Sequence, residues 1–364
     1  MIHILQIGFS HNPGGVENCI MNYYRHIDKT KFSFDFLDLY GEGIAYRKEI
    51  ITLGGKVIVL PNYKKYPITA AKKLYWLIKN SDYKIVHIHM QSAANLMPIL
   101  AAIKSEKVKI IAHSHSSNTP KGLLRKSLNR VNIPIIRKLK IEKWACGYKA
   151  GLWMWGKSFD KCNIMENALE YENYKYNLTI RKRIRNECGF PESAKVIGFI
   201  GRFGAEKNIF FLIKVLKELV QLSSDFRLLT VGGNDLYNAF WDKLLEEGLK
   251  QYYYSAGIQG DTSYWYQAMD AFLLPSFFEG FPMVGVEAQA TGVYCYFSHN
   301  ISRETDLSGL VKYLPIGKND EKIWANTIYS DLKNEKGIAK SNFPQEYKID
   351  IATIRLEEKY KRLI

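Results

Sequence analysis

Short hydrophobic runs of strand length alternate with amphipathic, helix-like segments along this chain, and they do so in two separate series. In the first half, strands are expected at residues 2–8, 32–39, 56–60, 85–89, 108–112 and 144–148, with amphipathic segments such as 16–27 and 68–79 between them. A second series opens at Val196 and continues at 226–232, 252–256, 271–274 and 293–297. Strands separated by helices are the pattern of βαβ units, whose strands pair in parallel and are buried on both faces. The break between the series, 171–192, is polar, rich in Tyr, Asn and Arg, and ends in Cys188-Gly189-Phe190-Pro191. The expectation is an α/β chain of two Rossmann-like parallel-sheet domains, 1–170 and 193–342, joined by a linker at 171–192. The basic tail, 343–364, has a helical pattern. A length of 364 residues suffices for two separate cores.

Charge narrows the partners. The formal net charge is +15, from 51 basic and 36 acidic residues, which favours anionic ligands or surfaces. Cys19, Cys146, Cys162, Cys188 and Cys295 are scattered and odd in number, so neither a disulfide framework nor a zinc site is expected, and a reducing cytosol fits. The first residues read as a buried strand rather than a signal peptide. No apolar run approaches the roughly 18 to 20 residues that span a bilayer.

Two stretches in the second half carry chemistry. In Glu279-Gly280-Phe281-Pro282-Met283-Val284-Gly285-Val286-Glu287, one carboxylate lies in a loop after a buried strand and the other inside the following helix, with Pro282 suited to the helix start. Open α/β sheets bind ligands beyond the carboxyl ends of their strands, where such carboxylates accept hydrogen bonds from hydroxyls. Spacing alone favours the plainer reading, an exposed acid and a helix-surface acid. Upstream, Val196 to Asn208 reads as a strand, a glycine-bearing turn and a basic pair. Arg202 then stands at a strand end and Lys207 at a helix start, a fitting clamp for a diphosphate. Taken by themselves, the two cations could equally solvate a turn.

The first half offers Gly14-Gly15 after the first strand, where a backbone can approach a ligand closely, although a Gly-Gly pair is usually only a turn. His113 and His115 end a strand two residues apart, and His87 and His89 end another. A strand-end histidine can hold a sugar hydroxyl or simply bond a neighbouring loop. Between Lys121 and Lys143, eight bases face one acid, Glu142, with Leu123, Leu124, Leu128, Val131, Ile135, Ile136 and Leu139 interleaved. Such a segment fits an anionic membrane surface, or equally a core-packed helix with a solvated basic face. Pro134 argues against one unbroken helix.

Gly201-Arg202, Lys207-Asn208, Pro275-Ser276, Glu279-Gly280-Phe281-Pro282, Glu287-Ala288 and Gly292 together resemble the donor half of the family-four glycosyltransferases. The resemblance runs in order from residue 196 to about 300, with a weaker continuation through the first half. It implies the GT-B fold, two Rossmann-like domains facing across a cleft, with the C-terminal helix crossing back to the first. It implies a retaining hexosyltransferase-type enzyme that moves a sugar from a nucleotide-diphospho-sugar, expected to be a UDP-sugar, to a glycan or polyprenyl-diphosphate-linked acceptor. Capsular or exopolysaccharide biosynthesis is the implied setting, in the cytoplasm or peripherally on the inner face of the cell membrane. By motif position, Glu279 contacts the donor sugar, Glu287 the ribose, and Arg202 and Lys207 the diphosphate. Gly201, Gly280, Phe281 and Pro282 shape the donor pocket, Gly14 and Gly15 lie at the diphosphate or sugar, and His115 matches the active-site histidine, with His113 two residues away.

The chain departs from the family at Val231-Gly232-Gly233-Asn234-Asp235, where a Gly-x-Gly-Pro turn is common, and at Asn167-Ala168, where Asn-Gly is frequent. It has no Asp-x-Asp motif beside a strand end, so no metal ligand and no cofactor is expected, and divalent metal should be unnecessary. A sugar-nucleotide epimerase of the same architecture is the first alternative. A Rossmann oxidoreductase lacks its glycine fingerprint. A basic nucleic-acid-binding module lacks any recognised motif, and no nucleic acid is expected as a partner.

Overall fold

A computed structural model of the protein describes residues 1–334 and 342–364. The chain forms two compact units, Met1–Leu169 with Gln345–Ile364, and Glu170–Pro344. The expected second domain, 193–342, includes residues outside those described.

The first unit is built on six parallel strands, β1 (Ile2–Ile7), β2 (Phe32–Asp38), β3 (Val57–Val59), β4 (Ile85–Met90), β5 (Lys109–Ser114) and β6 (Glu142–Ala145). Their order is β3-β2-β1-β4-β5-β6. The second unit repeats the design with β7 (Lys195–Arg202), β8 (Phe226–Gly233), β9 (Tyr253–Ser255), β10 (Ala271–Leu274), β11 (Tyr294–Ser298) and β12 (Val311–Leu314), in the order β12-β11-β10-β7-β8-β9. All the strand pairs are parallel. The continuous apolar runs become strands buried on both faces: all four residues of β10 and all six of β4 are buried. Each sheet reverses direction once, between β1 and β4 and between β7 and β10. Loops leaving these strands diverge, which opens a crevice at the carboxyl edge.

Right-handed crossovers decide which face each helix covers. Helices Pro67–Asn80, Met97–Ser105 and Leu123–Lys138 follow connections running toward β6 and share one face of the first sheet. Helix Gly15–His26 follows a connection running the other way and covers the opposite face, where the C-terminal helix Ile349–Arg362 packs against it. Tyr360, 1% exposed, inserts among Phe32, Phe34 and Trp144, stacking on the last at 5.8 Å.

Two expectations are corrected. The stretch 171–192 is not a loose linker: it carries helices Tyr171–Tyr174 and Leu178–Glu187 and belongs to the second unit. Two of its arginines, Arg181 and Arg185, are buried because Asp270 holds them. Arg181 Nη2 and Arg185 Nη2 each donate to one Asp270 oxygen at 2.5 Å, and the Val196 amide donates to Oδ2 at 2.7 Å. Helix Leu123–Lys138 runs through Pro134 without a break. The bond lost at the proline is offset by tethers on either side of it. Ala93 N–H donates to Asn129 Oδ1 (2.8 Å), Asn132 donates to Ala93 O (2.7 Å), and Arg137 Nε donates to Met154 O (2.9 Å).

Candidate active site

At the carboxyl edge of the second sheet, two loops meet at the reversal point. After β7 the chain makes a short 3₁₀ turn, Ala205–Lys207, closed by Asn208 in the left-handed region at φ 53°, which asparagine tolerates better than most residues. After β10 comes the loop through Ser276 and Glu279. Phe277 N–H donates to the Glu206 carbonyl at 2.8 Å and ties the two loops together. Lys207 Nζ donates to Glu279 Oε1 at 2.6 Å, and Ser276 Oγ donates to the same oxygen at 2.7 Å. The pair is only 19% and 12% exposed, so it is shielded from the screening that weakens surface ion pairs. Arg202 Nη2 reaches Glu206 Oε1 at 2.6 Å, and the Arg202 side chain is 57% exposed. Lys207 spends one of three N–H bonds on Glu279. The two cations therefore retain donors that can reach an anion at this edge.

Gly232 lies beside the same turn for a steric reason. It sits at φ +120°, and a Cβ there would fall 2.1 Å from the Gly201 carbonyl oxygen. The departure from the Gly-x-Gly-Pro pattern at 231–235 keeps the glycine that this close approach demands.

Glu287 has a separate set of partners. Pro282 is the N-cap of helix Met283–Thr291, which is almost wholly buried and ends on Gly292 at φ 84°. Phe281 is buried at its foot, and Gly280 is half-buried. Glu287 is 8% exposed, and the Tyr266 hydroxyl donates to its Oε2 at 2.7 Å. Burial pushes the Glu287 carboxyl above the ordinary carboxylate range, Asp261 nearby adds to the rise, and hydrogen bonds from Tyr266, Thr262 and Tyr174 oppose it. The structure thus brings Arg202, Lys207 and Glu279 into one connected group and holds Glu287 among tyrosines on the adjoining helix.

In the first unit the histidines form an array. The parallel register sets His89 beside His113, and side chains two apart share a face, so His87, His89, His113 and His115 stack as two pairs of rings with centroids 4.2 and 4.0 Å apart. His113 is fully buried, whereas His115 keeps partial exposure. Burial drives His87, His89 and His113 well below the usual histidine value and takes His115 down to about 3, so all four are neutral at physiological pH. Potential ligand nitrogens of His87, His89 and His113 lie within 4.8 Å of one another. The rings are tilted by 32° between His87 and His89 and by 50° between His89 and His113, and hydrogen bonds between His87 Nε2 and His113 Nδ1 (3.2 Å) and between His89 Nδ1 and His115 Nε2 (3.0 Å) account for the short N···N contacts. Gly14 is the N-cap of helix Gly15–His26 in an extended conformation, and a Cβ on Gly15 would meet no atom within 4 Å. No backbone strain demands glycine at either position, and the space above Gly15 is open.

A separate depression lined by Phe210, Lys217, Lys243 and Glu247 lies on the outer helices of the second unit. Lys217–Glu247 and Lys243–Glu246 ion pairs at 2.6 and 2.9 Å span it, and none of the edge residues lines it.

Comparison with known proteins decides the family. The profile described as Glycosyl transferases group 1 matches residues 180–303, and that of Glycosyltransferase Family 4 matches residues 13–146. The chain is a family-four glycosyltransferase. A Bacillus subtilis (strain 168) protein named as a glycosyltransferase, EpsF, is 28% identical over 338 residues, covering 90% of this chain and 86% of that one. An Escherichia coli enzyme named UDP-Gal:alpha-D-GlcNAc-diphosphoundecaprenol alpha-1,3-galactosyltransferase is 24% identical over 241 residues, covering 62% of this chain and 60% of that one. Among solved structures, a glycosyltransferase from Rickettsia africae ESF-5 superposes with a TM-score of 0.78 at 19% identity, covering 100% of this chain and 98% of that one. Anabaena Alr3699/HepE in complex with UDP-glucose gives 0.73 at 16% identity, covering 100% and 96%. The glycosyltransferase thus has the GT-B fold, and the epimerase and nucleic-acid readings gain no support.

Several residues at these edges were not singled out from the sequence of this glycosyltransferase: Glu206 and Tyr266 in the second unit, and Gln6 in the first. A signal existed for the last group. His87-x-His89 and His113-x-His115 on successive strands share a face by period-two alternation, and Gln6 on β1 lies beside His87 in register.

Proposed function

We propose that the enzyme transfers a sugar, with retention of configuration, from a nucleotide-diphospho-sugar to a glycan or polyprenyl-diphosphate-linked acceptor during surface polysaccharide assembly. The carrying observation is the Lys207–Glu279–Ser276 junction beside Arg202 at the reversal point of the second sheet. In this reading Arg202 and Lys207 neutralise the diphosphate, the group on which charge grows as the sugar leaves. Glu279, fixed by Lys207 and Ser276, orients the sugar through its hydroxyls, and Glu287 takes the ribose. Gly201, Gly280, Phe281 and Pro282 shape the donor pocket. Gly14, Gly15 and His115 serve the donor diphosphate and the reacting sugar. HepE, crystallised with UDP and with UDP-glucose, and the E. coli enzyme named for a UDP-galactose donor and a lipid-diphosphate acceptor support a UDP-sugar here. A thermal-shift screen against UDP-, GDP-, ADP- and dTDP-sugars tests it, because a ligand that binds only the folded state raises the melting temperature. Stabilisation by UDP-sugars is expected, and a flat response to all four nucleotides would refute the donor assignment.

The acceptor reading places the enzyme on an anionic membrane, and the charge distribution supports it. Residues 61–141 carry sixteen lysines and arginines against two acids, Asp82 and Glu106, nearly the whole of the chain's +15. This segment supplies the three helices sharing one face of the first sheet, on which Ile68, Trp76, Leu100, Leu123, Leu124 and Val131 are each more than half exposed. Each surface-near cation contributes about 1 kcal/mol on an anionic leaflet. No helix among the described residues is long and apolar enough to cross a membrane.

A further inference from the structure

The buried histidine array contains more order than a strand-end histidine requires. Gln6, 1% exposed on β1, lies at its centre. Its Oε1 is 2.8 Å from His89 Nε2, and a carbonyl oxygen only accepts, so His89 carries its proton on Nε2. In a neutral imidazole the other nitrogen is then a lone pair. His89 Nδ1 is 3.0 Å from His115 Nε2, which must therefore be the donor, and the lone pair of His115 falls on Nδ1. Nδ1 makes no hydrogen bond to the described residues, and His115 is the one member of the four with appreciable exposure. The Tyr360 hydroxyl lies 2.8 Å from His87 Nδ1. His87 Nε2 lies 3.2 Å from His113 Nδ1, so a second pair of rings is hydrogen-bonded in the same array. One amide thus sets the protons of His89 and His115 in the same sense. His113 Nε2 has no hydrogen-bond partner among the described residues.

We propose that Gln6 and His89 are positioning residues that lock His115 as the neutral Nε2–H tautomer, so that its Nδ1 lone pair faces the substrate and accepts a hydrogen bond from a sugar or acceptor hydroxyl. The inference rests on the transferase reading for the identity of that hydroxyl, but not for the wiring. The array also explains Gly8: at φ +126° its missing Cβ would lie 2.4 Å from the His89 carbonyl oxygen, so the close pairing of β1 and β4 that brings Gln6 to His89 needs a glycine there.

Long-range ¹H–¹⁵N correlation spectra of the full chain read each imidazole's tautomer, with His115 assigned by the signal lost in His115→Gln. The expected result is Nε2–H for both His89 and His115. In Gln6→Met, which keeps length but offers no amide, the single tautomer of His115 should give way to a mixture. Its kcat should fall about tenfold, the weight of one misdirected hydrogen bond, with the donor KM unchanged. An Nδ1–H signal on His115 in the wild-type protein would overturn the proposal without recourse to any variant, so a Gln6→Met protein that fails to fold does not shelter it. So would a folded Gln6→Met protein with unaltered tautomer and kcat. A wild-type Nε2–H signature in a protein that transfers sugar from no nucleotide donor would uphold the wiring and count against the transferase reading alone.

Discussion

Glu287→Gln should make the protein more stable and the enzyme worse. The carboxylate is 8% exposed, and its pKa is raised mainly by burial, so its charged form is disfavoured in the folded state. For an acid whose folded pKa lies above the unfolded one, the folded protein holds the extra proton between the two values, and stability falls as pH rises through that window. Above it the ionised group is a standing cost, and below the unfolded value the cost vanishes. A glutamine keeps an oxygen for the Tyr266 hydroxyl, now 2.7 Å from Oε2, and removes the charge. Replacing a functional buried charge in this way typically gains about 1 kcal/mol, which raises Tm by about 2–4 °C for a unit of this size. Binding should move the other way. A hydrogen bond to a charged acceptor is worth about 1.5–3 kcal/mol against about 1 for a neutral one, so UDP should bind roughly tenfold more weakly. Thermal unfolding at pH 7.5 and again near pH 4, where the stability difference should shrink, together with calorimetric titration of UDP, checks both halves. A variant with a lower Tm at neutral pH and an unchanged UDP Kd would show Glu287 to be a structural acceptor for its tyrosines, and the ribose role would fall.

Two other perturbations follow from the same structure. Asp270→Ala leaves Arg181 and Arg185 buried without their carboxylate. It should destabilise the second unit by about 3–5 kcal/mol, read by urea unfolding; a loss below 1 kcal/mol would mean that 171–192 is not fastened as described. Leu123→Ser with Leu124→Ser removes two of the most exposed apolar side chains, 85% and 73%, without touching the core. Sedimentation with phosphatidylglycerol vesicles should fall several-fold while soluble-donor binding is unchanged, and binding that is equal on neutral phosphatidylcholine would refute the electrostatic part.

The parallel sheets were legible because strands buried on both faces must be continuous apolar runs, and 271–274 coincides with β10 to the residue. What escaped was set by distant partners. β12 is a short edge strand, Val311-Lys312-Tyr313-Leu314, with no fully buried residue and therefore no periodic signal. Leu178–Glu187 looks like a solvated basic stretch until Asp270, more than eighty residues away, supplies the counter-charge. Pro134 reads as a breaker because the tethers from Asn129, Asn132 and Arg137 end on Ala93 and Met154 in other segments. At the site, Lys207 and Glu279 meet across 72 residues at an edge that the strand order fixes. The partners of Glu287 and the proton order of the histidines depend on packing that no local pattern encodes.

The donor claim is tested most directly by titrating UDP into the wild-type and Lys207→Ala proteins in a calorimeter and following transfer from UDP-sugars with each. The account predicts UDP binding by the wild type, weakened at least tenfold in a folded Lys207→Ala protein, and turnover reduced about a hundredfold or more. Equal affinity and near-wild-type turnover in the variant would contradict it.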